Sequence, residues 1–244
     1  MKFLIFFLGS AIGSFFNLFF SRREKNEDFI WKSSYCQTCK RKLKMLDMIP
    51  IISFLIYRGH CKYCKCKIPI DILIFEAIYG LIFISFYLIY GLNLNFLLRA
   101  LEASLLFLVG YCDFKTGFIY VLDLIFLLSL QIIYKIINGE QILVSCKYAI
   151  ILGLIFAFIV ILTGAMGLGD LEFAFVGGFF AYSYLDILEI FTISFVGAAI
   201  VGLFLIFISK KTIKDTIAFG PYIAIAIFLQ IFSWGILWTT YMSI

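Results

Sequence analysis

Long apolar runs, not alternation, dominate the pattern of hydrophobic and polar positions in this chain. A helix needs about 20 apolar residues to cross roughly 30 Å of hydrocarbon. Eight runs approach that length: 3–20, 72–90, 96–112, 118–137, 148–163, 171–185, 187–209 and 217–240. Each predicts a membrane helix, with the boundaries of the sixth and seventh defined least sharply. No internal repeat or low-complexity segment breaks the series. One long polar stretch, 21–70, separates the first helix from the other seven. The pattern therefore divides into a first helix (1–20), a polar module (21–71) and a seven-helix membrane domain (72–244).

Composition excludes the soluble alternatives. Apolar residues make up 64% of the chain and charged residues 14%, against roughly 45–50% and about 25% in soluble domains. Mean hydropathy is +1.07, and 30 residues are Phe. A water-soluble globule of 244 residues could not bury that much apolar surface. The fold class expected is an all-α polytopic membrane protein.

Charge then orients it. Of the 20 Lys and Arg residues, 12 lie in 21–70, together with Glu24, Glu27, Asp28 and Asp47, giving a local charge of +8. Beside membrane spans, such a basic stretch points to anionic lipid headgroups rather than nucleic acid. The first run has only Lys2 ahead of it, lacks a small-residue cleavage pattern and is followed by Arg22, Arg23 and Lys25. It reads as an uncleaved helix with its N-terminus outside. Eight spans then place 21–70, 113–117, 164–170 and 210–216 inside, and these hold 16 of the 20 basic residues. The outside stretches 91–95 and 138–145 hold none, as the positive-inside rule requires.

Within the polar module, Cys36-Gln-Thr-Cys39 and Cys61-Lys-Tyr-Cys64 stand 21 residues apart. Two C-x2-C knuckles turn four sulfurs toward one point, the pattern of a four-thiolate structural Zn²⁺ site. A disulfide pairing is disfavoured on the reducing side of a membrane, and a thioredoxin-like role lacks its βαβ context. The module is too small for a core of its own, so a metal would supply much of its folding energy. His60 and Cys66 lie close enough to substitute for a ligand but read as bystanders, while Cys112 and Cys146 sit at helix ends and pack.

Acids in or near membrane spans are costly and are functional candidates by default. They are Glu76, Glu102, Asp113, Asp123, Asp170, Glu172 and Glu189. Arg99 and Glu102, three apart on one helix, can pair; Glu189 lies near an outer end and reads as solvated. Glu76 and Asp123 lie a turn or more inside their helices, where solvation explains them less well. Asp113 and Asp170 both fall at inner helix ends and can approach each other from separate hairpins. Two close carboxylates would share one proton and could activate a water while protonating a leaving amine. The same two residues could equally be loop aspartates, solvated or capping a helix.

Gly167-Leu168-Gly169-Asp170 resembles the GxGD signature of intramembrane aspartyl proteases, and the rest of the chain resembles the prepilin (type 4) leader peptidases among them. Gly9 and Gly13-Ser14-Phe15-Phe16-Asn17 with Arg22 resemble that family's first-helix motif. Ser34, Cys36, Cys39, Leu43, Asp47, Ile49-Pro50, Ser53, Arg58-Gly59, Cys61, Cys64, Ile68 and Glu76 follow its loop pattern. Asp113 with Ile119, and Phe219-Gly220-Pro221, resemble two further motifs. The resemblance implies a multi-pass protein of the bacterial inner membrane that removes the short basic leader of type IV pilin-like precursors at the cytoplasmic face. It implies Asp113 and Asp170 as the catalytic pair, metal at the four knuckle cysteines, and in many members N-methylation of the new terminus with S-adenosylmethionine. Two positions depart from the family pattern: Glu172 where Lys is usual, and Tyr120 where Pro is usual. Two other classes fit less well. A zinc-binding membrane sensor or assembly factor without protease activity has no need of both aspartates. A proton-coupled transporter would place its acids at mid-membrane rather than at one face.

Overall fold

The computed structural model describes residues 1–25, 34–164, 166–208 and 217–242, with the side chains of the last helix described to residue 236. Lys32 and the three basic residues of 210–216, counted above as inside charges, lie outside the described residues. The described residues form nine α-helices: α1 (Lys2–Glu24), α2 (Ile52–Ile56), α3 (Ile70–Tyr90), α4 (Leu94–Thr116), α5 (Val121–Ile137), α6 (Ile142–Thr163), α7 (Leu168–Gly178), α8 (Tyr184–Phe207) and α9 (Gly220–Met242). All but the short α2 fall on the eight predicted apolar runs. Helices α1, α3, α4, α6 and α8 are each long and apolar enough to cross a membrane. The protein is an all-α polytopic membrane protein.

The sixth run behaves differently from expectation. Its helix α7 starts at Leu168 and ends at Gly178 after 11 residues, about 16 Å of rise and half a bilayer core. The continuous apolar run 171–185 hides a stop. Gly177-Gly178 weakens the helix, and Ser183 caps the next one. The Ser183 Oγ accepts from the Asp186 N–H at 3.3 Å, while Asp186 accepts from the backbone N–H groups of Tyr182 at 2.6 Å and Ser183 at 2.9 Å. That is a reciprocal capping box. Helix α5 also starts late, at Val121 rather than 118. Gly117 ends α4 in the left-handed conformation at φ +69, and Tyr120 is extended. Asp123 therefore sits in the first turn of α5, buried, where the helix dipole favours an acid.

The chain divides into two compact units, Met1–Gly91 and Leu92–Ile244. In the first, α1 and α3 form an antiparallel pair. Their backbones touch because a Cβ at Gly9 would lie 2.5 Å from the Tyr79 carbonyl oxygen, and one at Gly13 would lie 2.6 Å from that of Phe75. This small-xxx-small stripe gives van der Waals contact where lipid removes the hydrophobic drive. Phe75, Tyr79, Phe83 and Phe86 of α3 are fully buried. Glu76 is explained here: its carboxylate accepts from the Ile51 N–H at 2.6 Å and bonds Ser14. Ile51 stands at φ +61, a strained position for a β-branched residue, and the carboxylate holds it.

In the second unit, α4 packs against α5 and α9, α7 against α5, α6 and α9, and α8 against α9. Phe156, Phe191, Phe195 and Phe219 form a continuous aromatic cluster with centroids 4.6–6.2 Å apart. The expected Arg99–Glu102 pair is present at 2.7 Å and buried. It belongs to a larger network. Arg99 also donates to Gln131 Oε1 at 2.9 Å and the Tyr182 hydroxyl at 3.1 Å, and lies 3.5 Å over the Tyr134 ring. Lys135 pairs with Glu140 at 2.9 Å and lies 4.0 Å over the Tyr182 ring. This network ties α4, α5 and the turn before α8 together.

Candidate active site and metal cluster

Asp113 lies in the last turn of α4, not in a loop, because the helix runs on to Thr116 before Gly117 stops it. Its side chain is 5% exposed, so it is not a solvated loop acid. The Gly220 N–H donates to Asp113 Oδ2 at 2.8 Å. A Cβ on Gly220 would lie 2.8 Å from that oxygen and 3.0 Å from Cγ, so only glycine lets the backbone approach. Pro221 follows as the first full helical residue of α9, a position where its missing N–H costs nothing. It lies against α4 where a Cβ on Gly110 would come 3.2 Å from the Pro221 Cα. The short Phe219-Gly220-Pro221 motif thus presents the positive end of α9 to Asp113.

Asp170 sits in the first turn of α7, and its Oδ2 accepts from the Gly167 N–H at 3.2 Å. This is the carboxylate half of a capping box, so the helix-capping role foreseen for it is real. Burial, and after it the charge of Asp113, pushes the Asp170 carboxyl up to about 6, against the lowering effect of the Gly167 N–H. The Asp113 carboxylate is therefore near enough for its charge to be felt at Asp170. Their two loops also touch: a Cβ on Gly169 would lie 3.2 Å from the Cβ of Ile119. The glycine between Leu168 and Asp170 therefore seats the segment after Asp113 against the segment before Asp170. Asp113 is buried and Asp170 half-buried. Glu172, two residues on, is exposed, and Glu189 is exposed as expected.

In the first unit the four cysteines converge. The sulfurs of Cys36, Cys39, Cys61 and Cys64 all lie within 4.8 Å of one another, a set that could hold a metal ion. The Cys36–Cys64 separation is 3.8 Å, about the edge of a tetrahedron with Zn–S bonds near 2.3 Å. The two knuckles repeat one backbone design. The Cys36 N–H donates to Arg41 O at 3.0 Å and the Cys61 N–H to Cys66 O at 2.8 Å. Lys40 and Lys65 turn back onto Cys36 O and Cys61 O at φ +56 and +57. Isolated bridges Tyr35–Lys42 and His60–Lys67 close each turn. The donor set fits Zn²⁺. Desolvation raises the Cys36 thiol, but the N–H groups of Cys39 and Thr38 and the neighbouring thiols outweigh it, bringing it down to about 6.

Cys66 is closer to this cluster than its sequence position suggested, 3.2 Å from Cys64 and 3.6 Å from Cys36. The His60 Nδ1 instead lies 2.7 Å from the Arg58 carbonyl. Asp47, read only as part of a loop pattern, is the anchor of the module. It accepts from Tyr57 at 3.0 Å, Tyr63 at 3.1 Å and the Lys44 N–H at 3.2 Å, with Lys62 at 3.7 Å. Desolvation pushes its carboxyl up, but these donors prevail and hold it below its usual value.

A polytopic helical protein with a four-cysteine module in one unit and two aspartates on touching segments in the other defines the class to which comparison can be made. Residues 7–90 match the bacterial peptidase A24 N-terminal domain. The chain is 27% identical to a prepilin leader peptidase/N-methyltransferase of Bacillus subtilis over 91% of its own length and 90% of that relative's. It is 27% identical to the protein of the same name from Legionella pneumophila, over 89% and 78%. A Neisseria gonorrhoeae relative of that name is 25% identical over 79% and 68%. No solved structure matches the chain. The chain is thus similar over most of its length to prepilin leader peptidase/N-methyltransferases, and its residues 7–90 to the N-terminal domain of bacterial A24 peptidases.

Proposed function

We propose that this chain is a membrane aspartic endopeptidase that removes the short basic leader of type IV prepilin-like precursors at the cytoplasmic face of a bacterial inner membrane. The observation that carries the reading is the contact between the segments that hold the two aspartates, Ile119 after Asp113 against Gly169 before Asp170, with Asp113 buried and its charge felt at Asp170. One ionised carboxylate takes a proton from the attacking water, and its protonated partner gives one to the departing amine. Gly220 N–H and Gly167 N–H hold one oxygen of each carboxylate, which leaves the opposite oxygens for substrate and water.

The rest of the assignment follows the same reading. The concentration of basic residues in 21–70 supports the module and both aspartates facing the cytoplasm. The module 21–71, inserted after the first helix 1–20, uses Cys36, Cys39, Cys61 and Cys64 to hold one structural Zn²⁺, with no ligand position left for water. Residues 72–244 carry the peptidase chemistry. Each relative's name also includes N-methyltransferase, so methylation of the new terminus with S-adenosylmethionine is the second half of the proposal; no residue is assigned to it.

The test is to incubate purified protein with a pilin precursor, with and without S-adenosylmethionine, and weigh the products by mass spectrometry. Asp113→Asn and Asp170→Asn should each abolish cleavage without unfolding, and the double variant should be no worse than either. Full cleavage by Asp113→Asn alongside a dead Asp123→Asn would move the first role to Asp123.

A further inference from the structure

The two cysteine knuckles are built alike except at one position. The Cys36 N–H donates to Arg41 O and the Cys61 N–H to Cys66 O. The Arg41 N–H reaches the Cys39 sulfur, and the Cys66 N–H reaches the Cys64 sulfur. Arg41 and Cys66 are therefore equivalent, each two residues past the second cysteine of its turn. The backbone makes no demand on the side chain there, since Arg41 serves with its guanidinium carried off to the Tyr63 ring, 4.3 Å from the centroid. The second knuckle has a thiol at the matching position, and that thiol turns into the cluster. Cys66 Sγ lies 3.2 Å from Cys64 Sγ and 3.6 Å from Cys36 Sγ, and it bonds the Thr38 side chain of the first knuckle.

These distances decide what the fifth thiol can do. Four thiolates around Zn²⁺, with bonds of about 2.3 Å, stand about 3.8 Å apart. Cys36 is 3.8 Å from Cys64 and 3.6 Å from Cys66, so either sulfur completes an edge with it. Cys64 and Cys66, at 3.2 Å, are closer to each other than two ligands of one tetrahedron. They are two candidates for one vertex rather than ligands at two vertices. A second ion held by Cys36, Cys64 and Cys66 would have to force that short edge open. The two candidates also differ in surroundings, Cys64 being exposed and Cys66 half-buried.

We propose that Cys66 is an alternative ligand of the zinc site, sharing the fourth vertex with Cys64, while Cys36, Cys39 and Cys61 are the fixed ligands. The inference rests on the metal reading of the module above and extends its ligand set. In the exchange one sulfur–metal bond breaks as the other forms. The thiol that takes the vertex gives up a proton, and the departing thiolate takes one up. The charge of the site is unchanged, and nothing is oxidised or reduced. An exposed ligand is thus backed by a more shielded one, and the module keeps its metal when Cys64 is modified.

The experiment loads the full-length protein with Co²⁺, whose thiolate charge-transfer absorption grows with the number of sulfur ligands. Cys64→Ser and Cys66→Ser should each bind one Co²⁺ with the four-thiolate spectrum of the parent. The double variant Cys64→Ser, Cys66→Ser should lose one thiolate's share of that absorption. A Cys64→Ser spectrum equal to that of the double variant overturns the proposal. A parent that holds no zinc and binds no Co²⁺ overturns the metal reading itself, and this inference with it, so the two failures are distinguishable. If Cys64→Ser does not fold, labelling of the zinc-loaded parent decides. Limiting iodoacetamide followed by peptide mass mapping should place one alkyl group in the module of each metal-bearing chain, on Cys64 in some molecules and on Cys66 in others. Label on Cys66 alone, with Cys64 always protected, fixes the ligand set at four and overturns the exchange.

Discussion

The Arg99 network gives the sharpest energetic prediction. Glu102 is fully buried, and one of its carboxylate oxygens is bonded by Arg99 while the other, Oε1, has no hydrogen-bond donor among the described residues. Replacing Arg99 with Met keeps the length and apolar stem but strands that carboxylate. Removing one member of a buried pair costs about 3–5 kcal/mol, or roughly two to three and a half powers of ten in the folded-to-unfolded ratio. The double change Arg99→Met, Glu102→Leu removes the stranded charge as well. It should recover most of the loss, leaving about 1–3 kcal/mol for the missing bonds to Gln131 and Tyr182. Arg99 and Asp113 stand 14 positions apart on α4, about 21 Å of helix, so cleavage per folded molecule should stay near that of the parent. Reversible unfolding in detergent measures the first effect and precursor cleavage the second. The reasoning is refuted by a single variant as stable as the parent, or by a double variant no more stable than the single.

Metal removal should act on the module: purified protein should carry one zinc per chain, cobalt substitution should give a tetrahedral thiolate spectrum, and Cys36→Ser with Cys61→Ser should release the metal and expose 34–68 to protease. Metal-free protein with an intact, protease-resistant module would exclude the site. For Glu76, the Ala variant should lose about 1–3 kcal/mol, since it leaves the Ile51 N–H without its acceptor, whereas Gln, which keeps an acceptor oxygen, should lose less; equal melting of the two variants would contradict that role.

Much of this architecture can be read from hydropathy because lipid imposes a minimum apolar length, and eight of the nine helices among the described residues fall on such runs. Hydropathy carries no punctuation, however. The break between α7 and α8 lies inside an apolar run, signalled only by Gly177-Gly178 and by Ser183 three residues before Asp186. The cysteine cluster is legible because each C-x2-C turn is local and its geometry repeats. The partners of the acids are not. Glu76 serves a backbone N–H 25 residues earlier, and Asp113 takes its donor from Gly220, 107 residues later. Gln131, Lys135, Glu140 and Tyr182 gave no sign of forming one network with Arg99, since it assembles only when α4, α5 and the turn before α8 meet. Cys66 looked spare by spacing, yet the hairpin of the second knuckle folds it onto its neighbours.

Acids near the two ends of α4 are treated in opposite ways, and the contrast bears on function. At one end Glu102 and Glu140 are matched by Arg99 and Lys135, with aromatic rings stacked against both cations. Such an arrangement fixes helices in place and has no free protonation chemistry. At the other end, among the described residues, Asp113 and Asp170 make no ion pair; each has one backbone N–H, and Asp170 feels the charge of Asp113. Neutralising them with a nearby Lys or Arg would stabilise the fold more simply. Glycine at 220 and at 169 instead lets backbone approach where a side chain would have separated the segments. A fold that neutralises the first set of acids leaves Asp113 and Asp170 without a cation, and under the proposed reading these two stay free to take and give a proton. That is the requirement of acid–base hydrolysis, and it is why the peptidase reading rests on these two residues rather than on the more numerous acids elsewhere in the chain.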